Sequence, residues 1–256
     1  MKIKISILII LVSICFLSGF YIFKYYFEAY NNSVLYSDLL IELDKNQEDI
    51  NNVKSAKNNT SNESIFERYK ELHNQNSDMV GWININNTKI NYPVMQSIDN
   101  PNFYLKHDFK KNESNYGCPY VQENCNVLIP SDNTIIYAHH MKDGSMFAAL
   151  DKYKSKSFWE RHQTITFDTL ESHNEYKIIS VFKTTVYNTN PNEFKYYNFV
   201  NAKNKHDFDN YITKIKYLSL YDTNSSAEFG DKLLTLTTCE YSQSNNRIVV
   251  VAKLVK

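Results

Sequence analysis

Glycine and proline are scarce, at five each in 256 residues. Tyrosine, asparagine, lysine and isoleucine are abundant instead, a bias that reflects the coding genome and carries no function. Net charge is missing as well: 28 basic side chains face 28 acidic ones. No overall field therefore recommends nucleic acid or an acidic polymer as a partner. There is no CxxC and no paired HxxxH, which argues against structural zinc. The stretch DNPNFYLKHD has the wrong spacing for an EF-hand loop, and no internal repeat is evident. No metal or other cofactor is expected. What remains is a hydrophobic fraction of 43%, enough for an ordinary globular core in one large domain or two small ones.

The longest apolar run covers residues 5–23, nineteen positions without a charge, bounded by Lys2 and Lys4 before it and Lys24 after it. As a helix that length spans about 30 Å of hydrocarbon. Only Ser18 and Gly19 offer a weak cleavage site, so the run is read as a retained signal anchor that attaches the chain to a membrane. Lysine on both sides leaves the positive-inside rule undecided. With the two leading lysines inside, the long C-terminal part is exported. The four cysteines are then read in an exported setting. Cys15 lies in the span, Cys118 and Cys125 could pair, and Cys239 in TLTTCEY has no obvious partner.

Residues 28–57 carry Val34, Leu35, Leu39, Leu40, Leu43, Ile50 and Val53 at mostly helical spacing, which suggests a juxtamembrane stalk. A polar run follows at 58–63, then a short helix over 64–75. The expected organisation is a cytoplasmic tip and anchor over 1–25, a helical stalk over 26–62 and a globular domain over 63–256. After Gly81 the pattern turns to short extended segments rich in Ile, Val, Thr and Tyr: 82–85, 89–94, 118–122, 134–139, 163–168, 176–186, 232–239 and 247–255. Eight such strands favour a closed or nearly closed β-barrel over a βαβ sheet. Helices are expected between them at 145–150, 157–161 and 205–218.

DKLLTLTTCEY carries a cysteine to the end of an apolar strand, and 240–246 turns the chain into RIVVVAKLV. If the two strands pair as a hairpin, Cys239 and Arg247 share one rim. Taken alone, Cys239 equally fits a small buried hydrophobe and Arg247 a surface charge. In NTIIYAHHMKDGSMF a strand ends at the histidine pair 139–140. That pair fits either an active-site edge or an exposed loop.

Together these segments resemble the sortases, whose three motifs are a strand ending TLTTC, an Arg eight residues on, and a His ending an earlier strand. The resemblance runs from about residue 77 to 256. SDMVGWININNTKINYPVMQ, NFYLKHDF, YAHHMKDGSMF and the insertion before the cysteine strand are similar to class B in particular. It implies a mostly β fold: a closed eight-stranded sortase barrel with inserted helices, after a transmembrane helix and helical stalk. It also implies a cysteine transpeptidase with Cys239 as nucleophile, His139 as proton shuttle and Arg247 as oxyanion partner. Leu105, Thr237 and Glu240 fall where class B enzymes line the substrate groove. The family commonly has Gly before its His, where this chain has Ala138. A methyl group fits there only if φ is not positive, and His140 stays open as an alternative.

The implied reaction cleaves an Asn-Pro-x-Thr type sorting signal after Thr through a thioester. The protein is then passed to the amine of a lipid-linked peptidoglycan precursor on the outer membrane face of a Gram-positive bacterium. Iron- or haem-acquisition proteins are the implied substrates; some class B members take Ser-Pro-x-Thr or Pro-Pro-x-Thr signals or build pili. A membrane-anchored Cys/His hydrolase and an inert tethered scaffold are the rival readings.

Overall fold

A computed structural model describes residues 2–54, 63–185, 194–239 and 246–256, with the Cys239 side chain outside the description. The chain divides between Glu42 and Leu43. One helix, α1 (Lys2–Lys54), runs for 53 residues through the apolar span and on into the stretch read as a helical stalk. The reason is local: after Gly19 no glycine or proline interrupts the backbone ladder before Lys54. Ile5, Phe16 and Phe20 are exposed on it. The helix is long and apolar enough to cross a bilayer by length and composition.

The second unit is built on eight strands, β1 (Met79–Asn84), β2 (Asn91–Met95), β3 (Tyr120–Val121), β4 (Asn133–Tyr137), β5 (Thr164–Thr169), β6 (Glu175–Thr185), β7 (Leu233–Cys239) and β8 (Asn246–Leu254). They close into a barrel in the order β1-β2-β3-β4-β7-β8-β6-β5. Two pairings are parallel, β2 with β3 and β4 with β7. A parallel pair needs a long crossover, and the segment joining β4 to β7 supplies it. It holds a 3-10 helix (Phe147–Lys154), where a helix over 145–150 was expected, then α3 (Lys156–Arg161), β5, β6 and α4 (Lys205–Leu218). α2 (Glu63–Gln75) precedes the barrel.

β8 is buried on both faces, with Ile248 to Ala252 all at 0% exposure. A strand covered on both sides reads as a continuous apolar run, as VVVA does. The outer cover is α4, whose Phe208, Tyr211, Ile212 and Ile215 pack with Val249, Val251, Ile179 and Phe182. These are the stripe positions its 3.6-residue period selects. Phe208 and Ile215, both fully buried, stabilise the unit by about 1.5–3 kcal/mol each. Its start is fixed by Asn204, whose side chain accepts from the Asp207 amide. β1 approaches β5 so closely that a Cβ on Gly81 would lie 2.2 Å from the Asp168 carbonyl oxygen, so this position excludes a side chain.

α2 is tied to the barrel by the buried Asp168. The Tyr69 phenol donates to Asp168 Oδ2 at 2.6 Å and His173 Nδ1 lies 2.7 Å from Oδ1. Tyr69 also stacks on Trp82. Burial, and then Asp168, push the phenol well above its ordinary pKa range. Tyr69→Phe keeps the stack and removes one partner of a buried carboxyl group. The expected loss is about 1–3 kcal/mol of unfolding free energy, read from urea denaturation; an unchanged transition would show the phenol contributing nothing.

Candidate active site

The parallel pairing of β4 and β7 sets the site. Tyr137 stands beside Thr237 in register. Past the strand end, the Ala138 amide donates to the Thr237 carbonyl at 3.4 Å and Thr238 Oγ1 donates to the Ala138 carbonyl at 2.7 Å. The residue before His139 is thus tied to the residue before Cys239. On the other side of β7 the expected hairpin partner is present, and Cys239 is the register partner of Arg247. The β7–β8 hairpin and the distant end of β4 therefore bring positions 139, 239 and 247 to one rim of the barrel. Residues 240–245 lie outside the described residues, and Glu240 with them.

Alanine in place of glycine at 138 creates no strain, because Ala138 is not among the residues with positive φ. The turn after it is closed by Phe147 donating to the His139 carbonyl and by Asp143, which accepts from the Ser145 amide and hydroxyl. His140 forms a β-bridge with Met146 and is not among the residues lining the groove described next.

A groove of about 700 Å³ crosses this rim, and Leu105, His139, Thr237 and Arg247 all line it. His139 Nε2 lies 2.7 Å from the Leu105 carbonyl oxygen. A carbonyl only accepts, so Nε2 carries the proton, and in the neutral ring the lone pair is on Nδ1. Burial lowers the pKa of this imidazole below its ordinary 6.5; the Leu105 carbonyl opposes that shift, while Lys106 and Arg247 add to it. The ring loses its charge as pH rises through a midpoint under 6.5. NMR titration of His139 in a Cys239→Ala chain, where no thiol couples to it, is expected to show that midpoint below 6.5. A midpoint above 6.5 would mean that an anionic group has reached the ring.

Residues 83–255 match the family model for the sortase domain. The chain belongs to the sortase family. It is 36% identical over 205 residues to sortase B of Listeria monocytogenes, spanning 79% of this chain and 80% of that one. It is 33% identical over 196 residues to sortase B of Staphylococcus aureus, spanning 76% and 77%. The solved Staphylococcus aureus sortase B–substrate complex is similar at a TM-score of 0.73 and 28% identity, covering 90% of this chain and 98% of that chain. These likenesses make the protein a class B sortase, a family of cysteine transpeptidases.

The sortase groove also holds residues that sequence reasoning missed. The Tyr137 phenol donates to Gln122 Oε1 at 2.5 Å. Gln122 in turn donates to Asn124 Oδ1 at 2.6 Å and to the Tyr197 carbonyl at 3.1 Å. Tyr196 and Thr237 exchange a hydroxyl–hydroxyl bond at 2.9 Å. Tyr137 was within reach of strand alternation, since it stands two residues before His139. Tyr196 and Tyr197 come from the inserted segment before α4, where no periodicity marks them. The two remaining thiols do not form a disulfide. Cys118 lies against the Pro93 carbonyl and Cys125 against the Asn133 carbonyl, and burial raises Cys125 to about 11, which leaves it an inert thiol.

Proposed function

We propose that Cys239, His139 and Arg247 carry out the transpeptidation, cleaving an Asn-Pro-x-Thr type sorting signal after Thr and transferring the protein to an amine of a peptidoglycan precursor. The observation that carries this reading is the register that pairs Cys239 with Arg247 beside the segment ending in His139, at the edge of one groove. His139, neutral at rest, takes the thiol proton through Nδ1 as the Cys239 sulfur bonds to the Thr carbonyl carbon. Arg247 stabilises the negative oxygen that forms. The C–N bond then breaks, and the imidazolium gives its proton to the departing amine. An incoming amine attacks the thioester and passes a proton to His139. An amide forms, and the sulfur leaves and is reprotonated. Leu105 and Thr237 form walls for the signal, with Glu240 in the same role.

We further propose that α1 anchors the enzyme in the membrane with its N-terminus inside and the barrel outside, where an exported protein and a lipid-linked wall precursor of a Gram-positive cell meet. The test uses the full chain in detergent, with an Asn-Pro-x-Thr peptide and an excess of simple amine, read by mass spectrometry. An amide ending at Thr supports transfer. Free acid as the product despite excess amine would make the enzyme a hydrolase and contradict the reading.

A further inference from the structure

The His139 imidazole needs a group that fixes its tautomer and orientation, and among the described contacts that group is the Leu105 carbonyl. Backbone carbonyls are held by the chain around them, so the question is what holds this one. Leu105 ends a short 3-10 helix (Phe103–Leu105). Tyr104 within it is 1% exposed; its phenol donates to Asp78 Oδ2 at 2.7 Å and accepts from Asn76 Nδ2 at 2.9 Å. Lys111 closes on the same Asp78 oxygen at 2.9 Å. Beyond the helix, the Ser114 amide donates to the Lys106 carbonyl at 2.8 Å, and the Cys118 amide donates to the Tyr104 carbonyl at 2.9 Å. The returning segment of this loop thus lies directly against the carbonyls of residues 104 and 106.

Gly117 is where that contact is closest. Its φ is +60°, and a Cβ there would stand 2.5 Å from the Tyr104 carbonyl oxygen and 2.9 Å from the Leu105 carbonyl oxygen. Both neighbours are backbone, so neither can swing aside as a side chain would. We propose that Gly117 is a positioning residue: its missing side chain lets the loop seat the Leu105 carbonyl on His139 Nε2, which holds the ring with Nδ1 facing the reaction. This proposal rests on the reading of His139 as the proton shuttle.

A carbonyl suits that role better than a carboxylate. It fixes the tautomer without adding a charge that would keep the ring protonated at rest. It still strengthens its hydrogen bond when the ring becomes charged during the reaction.

The test compares Gly117→Ala with the unaltered full chain by two readouts, the NMR titration of His139 and the pH profile of kcat/KM. The Leu105 carbonyl supports the charged ring, so displacing it is expected to move the His139 midpoint and the acid limb of the profile together to lower pH. kcat is expected to fall about 10²-fold, the usual cost of misplacing a reacting group by an ångström. Leu105→Ala serves as the contrast: it trims the groove wall but keeps the carbonyl, so KM rises while the midpoint stays. If Gly117→Ala does not fold, Tyr104→Phe, which loosens the same loop by removing the phenol's two hydrogen bonds, is expected to give a smaller shift of the same sign. A wild-type midpoint and acid limb in the folded variants overturn the positioning role. His139→Ala separates the two ideas. If that variant is inactive while Gly117→Ala is wild-type, only the positioning role falls; if it is active, both fall.

Discussion

Cys239→Ala is expected to eliminate transfer, lowering kcat/KM by at least about 10⁴-fold, the scale seen when a covalent nucleophile is removed. The size follows from chemistry. Without a thiol there is no thioester, and no other described side chain of the groove offers a comparable nucleophile. Its neighbours at the rim are hydroxyls already engaged elsewhere: Thr237 with Tyr196 and Thr238 with the Ala138 carbonyl. Peptide binding is expected to persist, because the groove walls come from other residues, and fluorescence titration with a labelled signal peptide checks that. Residual activity close to wild-type would remove Cys239 from the mechanism. An inactive variant that also fails to bind would point to collapse of the rim instead.

Arg247→Ala carries the second large effect, a fall of about 10²- to 10³-fold in kcat, comparable to loss of an oxyanion donor. Arg247 is half-buried, lines the groove and stands second in β8, opposite Cys239. Its Nη1 donates to the Asn246 carbonyl at 3.1 Å, which among the described residues leaves other guanidinium donors for a ligand. Because the interaction strengthens as charge develops on the substrate oxygen, the loss belongs in kcat more than in KM. Arg247→Lys retains the charge and loses the planar fork, so partial recovery is expected. A variant whose KM rises while kcat holds would make Arg247 a binding residue for the signal.

Much of the barrel was legible because its elements are locally consistent. Helix α4 begins and ends where the sequence suggests, since Asn204 caps it and its apolar stripe has helical spacing. β7 and β8 read clearly as an apolar hairpin. β3 did not. Expected over 118–122, it is a strand only over Tyr120–Val121, because its parallel contact with β2 is the single pair Met95 and Tyr120. Alternation along one strand carries no information about how few partners it will find.

The site was legible in part, and for a different reason. Hairpin geometry alone brings Arg247 to Cys239. The adjacency of β4 and β7, which brings in His139, spans the whole crossover and left no local signal; only the resemblance to a family supplied it. The Leu105 carbonyl left no signal at all, since every residue has one and only the fold selects which is used. Gly117 carried a faint one, as one of only five glycines.

The proposed transfer requires a thioester on Cys239. Intact-mass measurement of the enzyme mixed with excess signal peptide and no amine tests it, followed by peptide mapping under acid to preserve the adduct. The expected result is a mass increase equal to the fragment ending at Thr, located on Cys239 and discharged by added amine. Turnover of the peptide with no adduct on Cys239, or with the adduct on another residue, would contradict it.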